Sequence, residues 1–170
     1  MIKTVEGDIL NLNEGIFVHG CNCFGVMGGG IAKLVRNKWP EVYNAYKSRY
    51  AKMGLQLGDV VSVGHQKLHN NKAVARHLHA LTATLPEQVI VVNAMTQFDF
   101  GSEEGRVYVD YDAVFASFAR VKLLAKDSGL GVHFPLIGCG LAKGKWEEVE
   151  AQILAALGPD IETTLWVLPT

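Results

Sequence analysis

The segment IFVHGCNCFGVMGGGIA, from Ile16 to Ala32, reads as a strand, a glycine loop and the start of a helix. Ile16-Phe17-Val18 is a short apolar run suited to a buried strand, and it ends in His19, Gly20, Cys21, Asn22 and Cys23. Gly25, Gly28, Gly29 and Gly30 follow, and Ile31-Ala32-Lys33-Leu34-Val35 opens a helix that the pattern carries to about Asn37. A strand that passes through glycines into a helix aims backbone N–H groups beyond its carboxyl end, where an anion is the natural occupant. Glycine also leaves no side chain between backbone and ligand. The rest of the chain is expected to complete a pocket around this loop.

A strand over Val132 to Leu136 also ends in a glycine loop, Ile137-Gly138-Cys139-Gly140-Leu141-Ala142-Lys143-Gly144, before a helix from Trp146 to Leu157. Further strands are expected over Met1 to Val5, Asp59 to Val63, Val89 to Met95 and Thr163 to Leu168. The VIVVNAM run from Val89 is apolar almost throughout, as in a central strand covered on both faces. Pro40 suits the first turn of a helix ending before Gly54. Tyr111 to Lys126 spaces Val114, Phe115, Phe118, Val121, Leu124 and Ala125 as one broad apolar face, with Gly129 and Gly131 to stop it. Thr96 to Asp110 is a long loop carrying Phe98, Phe100 and Tyr108, the kind of loop that binds ligands. Lys72 to Leu81 fits either a helix or a strand and loop, and the nearby His69, His77 and His79 are expected on a solvated surface. Alternating strands and helices predict one α/β domain, a layered sheet with helices on both faces.

Composition narrows the function. The chain has 170 residues, 49% of them hydrophobic and 19% charged, with a formal net charge of -1. That balance gives no field to draw it to nucleic acid or a membrane. No apolar run is long enough to span a bilayer, and MIKTVEGD lacks a signal-peptide core. Three cysteines, Cys21, Cys23 and Cys139, are too few and too irregular for a disulfide framework, so reduced thiols and a cytoplasmic location are expected. Cys21 and Cys23 have no second pair to complete a four-ligand site, so no metal and no cofactor are expected. The Gly25 to Gly30 loop has Ile31 where a P-loop has lysine, and neither loop matches the dinucleotide pattern. Two such loops can nonetheless grip a diphosphate from opposite sides with N–H groups alone.

Three motifs in order carry a resemblance: Gly7-Asp8-Ile9-Leu10; His19-Gly20-Cys21-Asn22-Cys23 with Gly28-Gly29-Gly30-Ile31-Ala32; and Pro135-Leu136-Ile137-Gly138-Cys139-Gly140-Leu141 before Trp146. Over nearly its whole length the chain resembles the macrodomain family, most closely the branch holding yeast-type ADP-ribose 1''-phosphate phosphatases and terminal ADP-ribose glycohydrolases. The resemblance implies a three-layer α/β/α fold with a mixed, mostly parallel six-stranded sheet. It also implies ADP-ribose or a derivative as ligand, free or on an ADP-ribosylated macromolecule; a monomer with no membrane partner is expected.

The resemblance further implies residue roles. Asp8, between Gly7 and Ile9, would accept from the adenine amino group, with Ile9 as its backbone partner; Gly-Asp is also a common turn after a strand. Asn22 would hold the distal ribose, or else only its own loop. Gly28, Gly29, Gly30, Ile31 and Ala32 would form one phosphate loop, and Ile137, Gly138, Cys139, Gly140, Leu141 and Ala142 the other. Leu168 would touch adenine or lie in the core. His19 would activate water or attack phosphorus, the alternative being a strand-end histidine bonded to its neighbours. Ala142 stands where the glycohydrolases carry an acid, and Met95-Thr96-Gln97 where they carry a lysine. Asp99, in the aromatic loop, could supply a carboxylate from another direction. The expected activity is removal of phosphate from ADP-ribose 1''-phosphate. Hydrolysis of ADP-ribose from protein or nucleic acid, and non-catalytic reading of ADP-ribose, are the alternatives.

Overall fold

The computed structural model describes residues 1–65, 78–79 and 84–170. Two strands, β2 (Glu14–Cys21) and β5 (Gln88–Met95), form its centre and pair in parallel from Glu14↔Gln88 to Cys21↔Met95. Both are covered on both faces, which is why their sequences are apolar without alternation. Around them lie β1 (Lys3–Glu6), β3 (Val60–Val63), β4 (Leu78–His79), β6 (Val132–Phe134) and β7 (Thr163–Val167), in the order β1-β7-β6-β2-β5-β3-β4. All neighbours from β1 to β5 in that order are parallel, whereas β3 runs antiparallel to β5 and parallel to β4. The sheet is therefore mixed and mostly parallel, as expected. The six expected strands are present, and the two-residue β4 adds a seventh through Ser62↔Leu78 and Val63↔His79. Apart from that pairing, the Lys72 to Leu81 reading and the placement of His69, His77 and His79 lie outside the described residues.

Helices α1 (Gly30–Lys38) and α2 (Pro40–Met53) cover one face, burying Val35, Val42 and Tyr46 with Trp39 against Phe17, Val91 and Met95. Helices α3 (Tyr111–Ser128) and α4 (Trp146–Leu157) cover the other, packing Val114, Phe118, Val121 and Ile153 on Ile16, Val18, Val92 and Phe134. Asp110 caps α3 by accepting the Ala113 N–H at 2.8 Å, and Gly129 ends it in the left-handed conformation. Phe115, expected on the buried face of α3, is exposed instead. The buried stripe runs through Val114, Ser117, Phe118, Val121, Leu124 and Ala125, and the neighbouring Phe115 turns away from it. Because β2, β5, β6 and β7 are parallel, their carboxyl ends and the loops after them share one edge of the sheet.

Candidate functional site

Beyond that edge lies a cleft of about 820 Å³. Following the strand order, its walls come from Trp166, Val167 and Leu168, then from Pro135 through Ala142, then from Asn22 and Val26 through Ala32, and last from Gln97, Phe100 and Gly101. The two glycine loops face each other. A Cβ on Gly29 would stand 2.9 Å from Leu141 Cδ1, and one on Gly30 would stand 3.6 Å from it. Gly30 at φ 55 and Gly138 at φ 74 occupy the left-handed region, whereas Gly29 is extended at φ -149. The Gly144 N–H donates to the Gly138 carbonyl at 2.7 Å and the Lys143 N–H to the Gly140 carbonyl at 3.0 Å, so the second loop folds back on itself. The Tyr108 N–H ties it to the loop before α3 through the Ala142 carbonyl at 2.8 Å. On the opposite wall, the first-turn N–H groups of α1 have no partner within the helix and mark its positive end.

Asn22 lies in the wall, but its amide serves its own loop. Its Nδ2 donates to the Val26 carbonyl at 2.8 Å, and its Oδ1 accepts the Phe24 N–H at 2.9 Å. Tyr46 Oη sits 2.7 Å from the Asn22 carbonyl and 2.9 Å from Oδ1, and accepts the Val26 N–H at 3.1 Å. Burial raises the Tyr46 pKa, so the hydroxyl keeps its proton and this knot stays closed. The side chain therefore braces its own loop from a position in the cleft wall.

The structure corrects the role expected of His19. The residue is 0% exposed and does not line the cleft. Its side chain enters the layer beneath α1 and α2, with Phe17 and Cys21 on the same face of β2. Asn93 fixes its tautomer: Nδ2 of Asn93 donates to the carbonyls of Val42 and Val61, both at 3.2 Å, leaving Oδ1 to accept from His19 Nε2 at 2.7 Å. His19 Nδ1 is then the bare nitrogen, 3.7 Å from the Cys21 sulfur. Burial pushes the pKa down to about 4, against the opposing pull of the Asn93 bond. A buried, neutral imidazole whose Nε2 proton is held by Asn93 is not placed to exchange protons with a ligand in the cleft.

Asp99 is also displaced from the expected role. It stands outside the lining, its Oδ1 accepts the Phe100 N–H at 2.7 Å, and its Oδ2 lies 3.3 Å from Arg106. Gly7, Asp8 and Ile9 flank the cleft without lining it. The Gly7 N–H donates to the carbonyl of cleft-lining Val167 at 2.8 Å, Asp8 follows as an exposed residue accepting the Leu10 N–H at 2.9 Å, and the Ile9 side chain is buried in the core. Leu168 lines the β7 end at 71% exposure, so it is not a core residue. Gln97, Trp166 and Val167 are lining residues that sequence reasoning did not assign. Gln97 lies just past the apolar β5 run, the one signal for it in the sequence, and Trp166 falls within the last expected strand. Among the described residues no cluster of three His, Cys, Asp or Glu could hold a metal ion.

The sequence profile of the Macro domain matches residues 18–153. The chain belongs to the Macro domain family. This macrodomain is 28% identical over 186 residues to an ADP-ribose 1''-phosphate phosphatase of Scheffersomyces stipitis, covering 99% of this chain and 100% of that protein. It is 23% identical over 168 residues to a DNA ADP-ribosyl glycohydrolase of Mycobacterium tuberculosis, covering 98% of this chain and 42% of that one. A solved macrodomain protein from Streptomyces coelicolor shares its fold with a TM-score of 0.71 at 26% identity, covering 98% of this chain and 99% of that one. In this macrodomain Ala142 is buried in the cleft wall, and no described lining residue carries a carboxylate, imidazole, ammonium or guanidinium.

Proposed function

We propose that this macrodomain binds ADP-ribose along the cleft and hydrolyses ADP-ribose 1''-phosphate to ADP-ribose and phosphate. The observation that carries the reading is the apposition of the two glycine loops across a cleft whose described lining has no charged side chain. Its electropositive features are backbone N–H groups and the start of α1, which suit a diphosphate held between the loops. The volume suits a ligand of nucleotide size. In this reading adenine lies toward Trp166 and Leu168, beside Asp8, and the distal ribose lies toward Asn22 and Gln97. The phosphatase assignment draws support from the full-length likeness to the Scheffersomyces enzyme. The three free cysteines support a reducing compartment, and we place the protein in the cytoplasm on that ground.

One observation favours a second reading, removal of ADP-ribose from a macromolecule. Phe24, Phe98 and Phe100 are exposed and stack edge to face at the Gln97 end of the cleft, with centroids 5.2 and 6.5 Å apart. An apolar lip there suits a substrate larger than phosphate. Binding of ADP-ribose by calorimetry, followed by product analysis with the 1''-phosphate and with ADP-ribosylated protein and DNA, separates the readings. Phosphate release from the first substrate alone is the expected result. ADP-ribose released from a macromolecule, with no phosphate from the 1''-phosphate, would replace the first reading by the second.

Asp8 supplies a further check. Asp8→Ala is expected to weaken ADP-ribose binding by about ten- to thirtyfold, about 1.5–2 kcal/mol, the loss of a charge-assisted bond to the adenine amino group. The fold should survive, because Asp8 is exposed and caps only the short turn Ile9–Asn11. Unchanged affinity in calorimetry would remove Asp8 from the site.

A further inference from the structure

A phosphatase normally needs a group that can protonate what leaves. Among the described residues lining this cleft, the only titratable side chains are the thiols of Cys21 and Cys139. Burial raises the pKa of both, and the Cys139 thiol donates to the Ile137 carbonyl at 3.3 Å. His19 is sealed below, and Asp99 is turned to Arg106.

The choice of bond then follows from leaving-group chemistry. Attack of water on phosphorus would expel O1'' as the anion of a sugar hydroxyl, strongly basic and dependent on a proton donor. Rupture of C1''–O1'' expels inorganic phosphate, which spreads its charge over several oxygens and is a far weaker base than a sugar alkoxide. Phosphate leaves without a proton from the protein. The positive charge that develops at C1'' is shared with the ring oxygen, and no described side chain lining the cleft sets a cation against it.

One side chain in the wall is suited to hold the incoming water. Gln97 Nε2 donates to the Asp99 carbonyl at 2.8 Å, which fixes the amide and leaves Oε1 without a donor among the described residues. Its backbone N–H donates to the Cys21 carbonyl at 3.3 Å and holds the residue against the end of β2. Oδ1 of Asn22, the other amide oxygen in the wall, already accepts the Phe24 N–H and lies 2.9 Å from Tyr46 Oη. An amide oxygen that accepts one hydrogen of a water leaves the water's lone pair free to turn toward an electrophile.

Resting on the phosphatase reading, we propose that this cleft breaks the C1''–O1'' bond of ADP-ribose 1''-phosphate, not a P–O bond, and that Gln97 Oε1 positions the water that adds to C1''. The electron pair of C1''–O1'' stays with the departing phosphate. The water oxygen bonds to C1'', and the proton it sheds passes to that phosphate. The products are ADP-ribose and hydrogenphosphate, and no other reactant is consumed. Gln97 is a positioning residue in this scheme.

The test runs the reaction of the intact protein in water enriched in oxygen-18 and weighs the released phosphate, whose oxygens do not exchange with water under these conditions. Unlabelled phosphate is expected. Gln97→Met, of similar length but without the acceptor, should lower kcat by about tenfold or more while ADP-ribose affinity stays within about twofold. Gln97→Glu keeps an acceptor oxygen while losing the donor to Asp99, and should retain more of kcat than the methionine variant. One oxygen-18 atom per phosphate overturns the proposal, because water would then have attacked phosphorus. A Gln97→Met enzyme at wild-type kcat overturns it too, as does a parallel fall in kcat and ADP-ribose affinity, which would make Gln97 only a brace for its loop. A wild-type protein that binds ADP-ribose and releases no phosphate defeats the phosphatase reading itself, a separate result that leaves no product to weigh.

Discussion

His19→Ala is expected to cost the protein on the order of 3 kcal/mol of stability at pH 7 while leaving turnover of the folded variant within a few-fold of wild type. The ring is 0% exposed and shares its layer with Phe17 and Cys21, so truncation leaves a cavity. It also strips Asn93 Oδ1 of its short donor at 2.7 Å, leaving only the weak Cys21 thiol at 3.9 Å, and a poorly satisfied buried acceptor costs about 1–3 kcal/mol. Acid should reveal the same group. The native imidazole holds off protonation until about pH 4, whereas in the unfolded chain it titrates near the ordinary value of 6.5. Between those values the unfolded state binds more protons, so stability falls as pH falls through that window and is largely kept above it. The contribution is on the order of 3 kcal/mol between neutrality and pH 4. Because alanine does not titrate, the stability gap between wild type and variant should narrow toward pH 4. Urea melts at pH 7 and pH 4.5, with phosphate release assayed well below the midpoint, check both parts. A variant as stable as wild type but without activity would return His19 to the chemistry.

The contrast between His19 and the glycines explains what the chain disclosed in advance. Strand–loop–helix order could be read because β2 and β5 are buried on both faces and so lose polar alternation, while Pro40, Asp110 and Gly129 punctuate helices through strictly local chemistry. The two glycine loops could be read for the same reason: glycine spacing is a property of adjacent residues. His19 could not be placed. Successive residues of a strand point to opposite faces, and which face meets the cleft depends on the neighbouring strands. Gly20 lines the cleft while His19 points beneath α1 and α2, a difference of one residue. Gln97, Trp166 and Val167 were hidden for a related reason. They enter the cleft because β5 and β7 end at the same edge as β2, a relation set by the order β7-β6-β2-β5. Asp99 looked available by proximity in sequence, yet its own loop supplies Arg106 and the Phe100 N–H to hold it.

Gly140→Val should abolish measurable tight binding of ADP-ribose, weakening it by about a hundredfold or more, about 2.7 kcal/mol, without unfolding the protein. A Cβ at Gly140 meets nothing within 4 Å, and its φ lies outside the left-handed region, so a side chain there is neither crowded nor strained in the free protein. Gly140 lines the cleft, and on the proposed binding mode a valine there competes with the diphosphate for that space. Holding that anion off forfeits one or two charge-assisted hydrogen bonds of roughly 1.5–3 kcal/mol each. Gly138→Ala is the companion that separates binding from folding. Gly138 sits at φ 74 with Val109 Cγ2 2.6 Å from its would-be Cβ, so even a methyl group forces the loop or α3's approach segment to move. That variant should lose stability and affinity together, whereas Gly140→Val should lose affinity alone. Circular dichroism melts and calorimetric titration of both variants read the difference. A folded Gly140→Val protein that binds ADP-ribose normally would mean the loop from Ile137 to Ala142 is only a turn after β6, and the diphosphate would have to be sought on the α1 wall alone.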